Sequence, residues 1–173
     1  METIALYDVI IIGGGPAGLA VGAELSCNNK VLILDQDEVG KTARSWFVPH
    51  DALDEKVMPY TYGGVTRFMT QTFGGANVSW RAELFDRYPY IDEKTLLPHW
   101  RSVMKDNGAT ILDGCAYIDS SADRDGVNVA TSQGGFRARL LIDASGYDSP
   151  LIRKYGINRD QDYWWSVFGC IGE

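Results

Sequence analysis

Apolar residues come in short unbroken runs near both ends of this chain and in a helical stripe between them. Tyr7 to Ile12 is a short run that is apolar apart from Asp8, rich in β-branched residues and ends at glycine, which predicts a buried strand. Pro16 then falls where a helix would take its first turn, a position that does not need its missing N–H. The small residues Ala17, Gly18, Ala20, Gly22 and Ala23 would let that helix approach a sheet closely, and Asn28-Asn29 would end it. Lys30 to Asp35 is a second buried run, so residues 7–35 predict a β–α–β unit.

Residues 36–91 carry no clear period. "TYGGVT" at 61 and "TFGGAN" at 72 resemble each other, which fits two turns of a meander and is too short for a repeat architecture. The aromatics Trp46, Phe47, Tyr60, Tyr62, Phe68, Phe73, Trp80 and Phe85 would either pack a core or line an apolar cavity, core packing being the commoner use. Periodicity returns with Leu96, Leu97, Trp100, Val103 and Met104 on one helical face, stopped by Asn107-Gly108. An N-cap at Thr95 would leave Pro98 in the tolerant first turn. "ATILDGC" predicts a strand. Turn signals at "DRDG" and "SQGG" predict a three-stranded antiparallel meander, and "RLLIDASG" a buried closing strand.

Composition narrows the field little. Of the 173 residues, 45% are hydrophobic and 23% charged, as in ordinary globular proteins. A net charge of −7 argues against a nucleic-acid partner, and Arg137 with Arg139 do not make a basic stripe. Cys27, Cys115 and Cys170 have neither metal-ligand nor disulfide spacing, so they are expected as small buried fillers, with no metal. His50 and His99 fit surface or partly buried positions. The start of the chain lacks the basic region of a secretory signal. The uncharged run 9–23 is shorter than the roughly 20 residues a membrane span needs, and its middle is Gly-Gly-Gly-Pro. These features predict a soluble cytoplasmic protein, with peripheral membrane contact left open.

The chemistry sits in "DVIIIGGGPAGLAVGAEL". Gly-x-Gly-x-x-Gly alone is a weak signal, but here it follows a strand, opens a helix and precedes an acid, Asp35, 22 residues beyond Gly13. Gly13 would allow the tight turn, Gly15 the approach of a pyrophosphate, and Gly18 close helix–strand packing. Gly14, Pro16 and Ala17 complete the phosphate-facing turn, whose N–H groups favour anions. Asp35 would accept hydrogen bonds from ribose hydroxyls. That acid serves FAD and NAD alike. An irregular section and a meander, in place of regular strand–helix alternation, favour FAD.

This organisation resembles the family of FAD enzymes that includes para-hydroxybenzoate hydroxylase, geranylgeranyl reductases, flavin-dependent halogenases and lycopene cyclases. A second motif, "LLIDASGYDSPLIRKYG", is similar to that family's strand-ending Asp-Ala-Ser/Thr-Gly segment, followed by a serine and often an arginine. The resemblance implies an α/β, Rossmann-like FAD-binding fold with a parallel sheet, a crossover helix and an antiparallel meander. It further implies supporting roles near the flavin dinucleotide for Asp143, Ser145 and Gly146, and a pyrophosphate contact for Arg44. "TARSWFVPHDAL" and "YWWSVFGCIGE" resemble segments of lycopene cyclases, which implies an apolar isoprenoid or carotenoid substrate and cyclisation driven by a carboxylic acid. Glu173 is the nearest candidate acid. A reductase or monooxygenase drawing on NAD(P)H is the alternative. A halogenase fits less well, because the Trp-x-Trp expected there is replaced by adjacent tryptophans in "YWWSVFG". The family's later Gly-Asp motif is not seen after Asp143. The expected organisation is therefore a FAD-binding domain at 1–146, with 36–91 inserted, and the start of a substrate-facing part at 147–173. That organisation implies a fragment, an unusually small member, or a flavin-binding module without catalysis of its own.

Overall fold

The computed structural model describes residues 6–41, 46, 48–63, 67–71, 75, 77–81 and 89–157, with backbone alone at 67–71 and 77–81. Arg44, Phe47, Phe73, Phe85, Cys170 and Glu173 lie outside the described residues, as does the "YWWSVFGCIGE" segment.

The first strand, β1 (Leu6–Ile12), runs into helix α1 (Pro16–Leu25) and then β2 (Val31–Leu34). The expected β–α–β unit is present, with the helix ending at Leu25 and Ser26 as its C-cap. Pro16 occupies the first turn. Further along, β7 (Thr110–Leu112) adds to β2 in parallel. The meander consists of β8 (Tyr117–Asp123), β9 (Gly126–Thr131) and β10 (Gly134–Asp143). These strands form one six-stranded sheet in the order β7-β2-β1-β10-β9-β8.

β10 unites two features that the sequence pattern reads separately. Its first half pairs antiparallel with β9, from Gly134↔Thr131 to Ala138↔Val127. Its second half runs parallel to β1, ending at Ile12↔Asp143. The closing strand is also less buried than its apolar run suggests. Ala138 is fully buried, but Leu140 is 51% exposed and Asp143 is exposed.

Alternation along the inner strands separates two cores. Ile11 and Ile33 point into one with Leu19, Ala23, Val39, Leu97 and Met104. Ile10, Ile12, Leu32 and Leu34 point into the other with Tyr7, Cys115, Val129 and Ala138. A parallel strand covered on both faces must be apolar at every position, which explains the unbroken runs Val9–Ile12 in β1 and Val31–Leu34 in β2.

Helix α2 (Glu93–Asp106) starts three residues earlier than expected, with Pro98 inside it. The cap is Asp92, not Thr95. The Asp92 carbonyl accepts from Leu96 N–H at 2.9 Å, and its carboxylate accepts the Thr95 hydroxyl at 2.6 Å. Thr95 thus serves the cap from the third helical position. Cys115 is buried as expected, whereas Cys27 is exposed on the turn after α1. His50 and His99 are both exposed.

The described residues divide into two compact units, 6–41 with 97–157 and the section between 46 and 96. The division brackets the irregular section. In the second unit, β3 (Thr61–Tyr62) pairs antiparallel with β6 (Tyr90–Ile91), and Tyr62 stacks on Tyr90 at 5.9 Å. There β4 (Arg67–Gln71) and β5 (Asn77–Arg81) pair antiparallel, from Arg67↔Arg81 to Gln71↔Asn77. Trp46 is half-buried and its indole N–H donates to Glu93 at 3.2 Å. Among the described residues, no helix is long and apolar enough to cross a membrane, and no group of His, Cys, Asp and Glu is placed to hold a metal.

Candidate dinucleotide site

Strand β1 ends at Ile12 between the ends of β2 and β10, so the turn that follows lies at the carboxyl edge of the parallel strands. Open α/β sheets take ligands at that edge. Each glycine of the turn has a distinct reason to be glycine. Gly13 has φ +101, and a Cβ there would lie 2.7 Å from Ser145 Cα and against the Ala144 carbonyl. At Gly14 a Cβ would lie 2.8 Å from Val39 Cα, and at Gly18 it would strike the Gly13 carbonyl. Gly15 differs. Its φ of −77° suits any residue, and among the described residues a Cβ there meets nothing within 4 Å. Gly15 is the N-cap of α1, with no side chain capping the helix and no acid in its first turn. The first-turn N–H groups, with exposed Ala17 among them, therefore retain the partial positive charge of a helix start.

Asp35 is held from both sides. One carboxylate oxygen accepts Gly14 N–H at 2.6 Å and the other accepts Asp37 N–H at 2.8 Å. A carboxylate offers about four acceptor positions, so about two remain. Asp35 also lines a cleft of about 240 Å³ together with Gly13, Gln36, Tyr117, Ser145 and Arg153.

The two motifs, some 130 residues apart, are in direct contact. Ala144 N–H donates to the Ile12 carbonyl at 2.8 Å, and Ala144 and Ser145 lie against Gly13. Asp143, however, spends its carboxylate locally. One oxygen accepts Ser145 N–H at 3.1 Å and the Ser145 hydroxyl at 2.5 Å, while the other accepts the Ser149 hydroxyl. Ser149, buried, accepts Leu151 and Ile152 N–H and so caps the short helix α3 (Pro150–Tyr155). Gly146 is exposed on this turn.

Tyr117 and Gln36 carried no signal in the sequence, because only the sheet order brings them to the cleft. Arg153 was foreshadowed only as the arginine that often follows the second motif. Arg101 and Asp113 were also missed. Arg101 donates to Asp113 at 2.6 Å and to the Val39 carbonyl at 2.5 Å, and Asp113 accepts Val39 N–H at 2.8 Å. The Arg101 guanidinium holds the Asp113 carboxyl below its usual range.

A glycine turn on a parallel sheet, with an acid ending the second strand, defines a dinucleotide-binding protein. The chain belongs to the pyridine nucleotide-disulphide oxidoreductase family of FAD-dependent enzymes, whose model matches residues 10–163. It is 29% identical over 169 residues to a rifampicin monooxygenase of Streptomyces venezuelae, covering 88% of this chain and 34% of that protein. A lycopene beta cyclase of Synechococcus elongatus is 26% identical over 171 residues, covering 97% and 40%. The chain thus spans between a third and a half of the length of these relatives. Among solved structures, the flavin-dependent monooxygenase PieE in complex with FAD and substrate superposes with TM-score 0.68 at 19% identity, over 88% of this chain and 32% of that one. A variant of the halogenase PltM in complex with FAD gives 0.67 at 23%, over 87% and 36%. These structural likenesses establish the fold.

Proposed function

We propose that this chain binds FAD at the Gly13–Gly18 turn and forms the cofactor-binding part of a flavoprotein. The observation that carries the reading is Gly15. Among the described residues none crowds a Cβ there and its backbone angles suit any residue, so its missing side chain leaves space for a ligand. Gly15 and the first-turn N–H groups of α1 would face the pyrophosphate, with Gly13, Gly14, Pro16 and Gly18 shaping the turn. Asp35 would accept ribose hydroxyls on its remaining lone pairs, without losing Gly14. Ser145 and Gly146 would border the same cleft, and Asp143 would act by holding their turn. When bound, the flavin supplies electron transfer to or from a substrate or to oxygen. The test is release of the ligand from purified protein by heat or acid, followed by chromatography. FAD is expected, and NAD alone or no nucleotide binding would refute the reading.

For the whole protein we favour an apolar, isoprenoid or carotenoid substrate, handled in the cytoplasm with peripheral membrane contact. The likeness to lycopene beta cyclase and the aromatic content of residues 46–85 support it. The likeness to rifampicin monooxygenase supports the alternative, an NAD(P)H-dependent monooxygenase or reductase. Incubating the full-length protein with lycopene and reduced flavin separates these readings. An isomeric product indicates cyclisation, a gain of two hydrogens reduction, and added oxygen monooxygenation. Turnover of polar compounds alone would overturn the apolar reading.

A further inference from the structure

We infer that Arg101 and Asp113 form a positioning pair for the cofactor turn, acting through Val39; the inference rests on the FAD reading above. Neither residue belongs to a glycine or strand-end motif. Arg101 is on α2, and Asp113 follows the last residue of β7.

The pair grips one peptide unit on each side of Val39. Asp113 accepts Val39 N–H at 2.8 Å, Arg101 donates to the Val39 carbonyl at 2.5 Å, and the two side chains close on each other at 2.6 Å. Val39 is 1% exposed, so polar groups on its backbone need partners. Its Cα and side chain are what a Cβ at Gly14 would strike. The next residue, Gly40, donates its N–H to the Gly14 carbonyl at 2.8 Å, while Gly14 N–H goes to Asp35 at 2.6 Å. Gly14 is therefore fixed through both of its peptide groups by the 35–40 loop, and that loop is anchored by the ion pair. A second anchor lies alongside: Gly114 N–H donates to the Asp37 carbonyl at 2.8 Å.

Arginine suits this task because its planar fork reaches a carbonyl and a carboxylate at once, which a lysine ammonium on a flexible stem does not reproduce. The pair is half-open to solvent, with side chains 20% and 42% exposed. Its worth to global stability is therefore modest. Its geometric consequence falls on Gly14, next to the residue that would face the pyrophosphate. A phosphate cradle built from backbone N–H groups depends on those groups being held before the ligand arrives.

The test is FAD titration of the parent, Arg101→Gln, Asp113→Asn and Arg101→Lys, with amide exchange at Gly14 and Gly40 followed in the ligand-free proteins. We expect the first two variants to bind at least tenfold more weakly and to exchange Gly14 and Gly40 faster. Arg101→Lys should fall between them and the parent, and it carries the test should Arg101→Gln not fold. A purely structural role would lower the melting temperature and leave affinity below the melt unchanged. Parent and variants with equal affinity would overturn the positioning role alone. A parent that binds no FAD would overturn the FAD reading, and this inference with it.

Discussion

The Gly13–Gly18 turn and the Asp143–Ser149 turn touch each other, yet they use their polar groups in opposite ways. The second turn looks inward. Both oxygens of Asp143 are taken by Ser145 and Ser149, and Ser149 is itself taken up in capping α3. The first turn looks outward at one point. Gly13, Gly14 and Gly18 are wedged against the protein, whereas Gly15 opens a helix with no side-chain cap and has no described residue against it. The sequence presents the two segments as matching halves of one cofactor motif. In the fold, the second segment is scaffold, and the first keeps an open point at Gly15 on the proposed binding face.

The widest gap should appear between two alanine substitutions within the glycine turn. Gly18→Ala puts a methyl group onto the Gly13 carbonyl, where backbone must move, and should cost about 3 kcal/mol. Gly15→Ala should stay within about 1 kcal/mol of the parent, because its backbone angles suit alanine and no described residue crowds the position. Chemical denaturation of both proteins checks this, and equal losses would erase the distinction.

The two acids sharpen the same contrast. Asp143→Ala should lower stability by about 1–3 kcal/mol, since it leaves the buried Ser149 hydroxyl without its acceptor. Asp35→Ala should weaken FAD binding by about 1.5–3 kcal/mol, the range for a hydrogen bond to a charged group. Measuring affinity and stability on both variants decides it. If Asp143→Ala lost affinity without losing stability, the second turn would be a binding element after all.

A smaller effect is expected far from the site. Arg137, on β10, donates to Asp123 at 2.8 Å and holds its carboxyl down to about 2 from the ordinary 3.8. A lowered folded-state pKa means that the stabilisation is present above about pH 4 and fades as the pH falls toward 2. Asp113, held down by Arg101, contributes with the same sign. Arg137→Gln should return Asp123 to the ordinary carboxylate range in a carboxyl-carbon NMR titration and leave FAD affinity unchanged. A shift in affinity would mean that the meander edge is coupled to the site.

How much the sequence disclosed depended on how local each cause is. The β–α–β unit is written in neighbouring residues: apolar runs that must be buried on both faces, a proline at a helix start, and glycines where backbone passes backbone. Pro98 points to a later helix start than the real one at Asp92, whose local sign is the Thr95 hydroxyl reaching back to it. The double role of β10 was not legible, since its partners β1 and β9 lie on opposite sides of it in the sheet. Nor was the Arg101–Asp113 pair, whose purpose is a backbone group at Val39, 62 and 74 residues away. Side chains that serve distant backbone leave no periodic trace.

The central claim is that Gly15 is kept small for a bound dinucleotide, since none of the described residues crowds it. Titrating FAD into the parent and Gly15→Val, with circular dichroism and melting temperature recorded on both, tests it directly. The account predicts that the parent binds, that Gly15→Val retains the fold and melts within a few degrees of the parent, and that it binds no FAD. Equal FAD affinity in a folded Gly15→Val protein would contradict it.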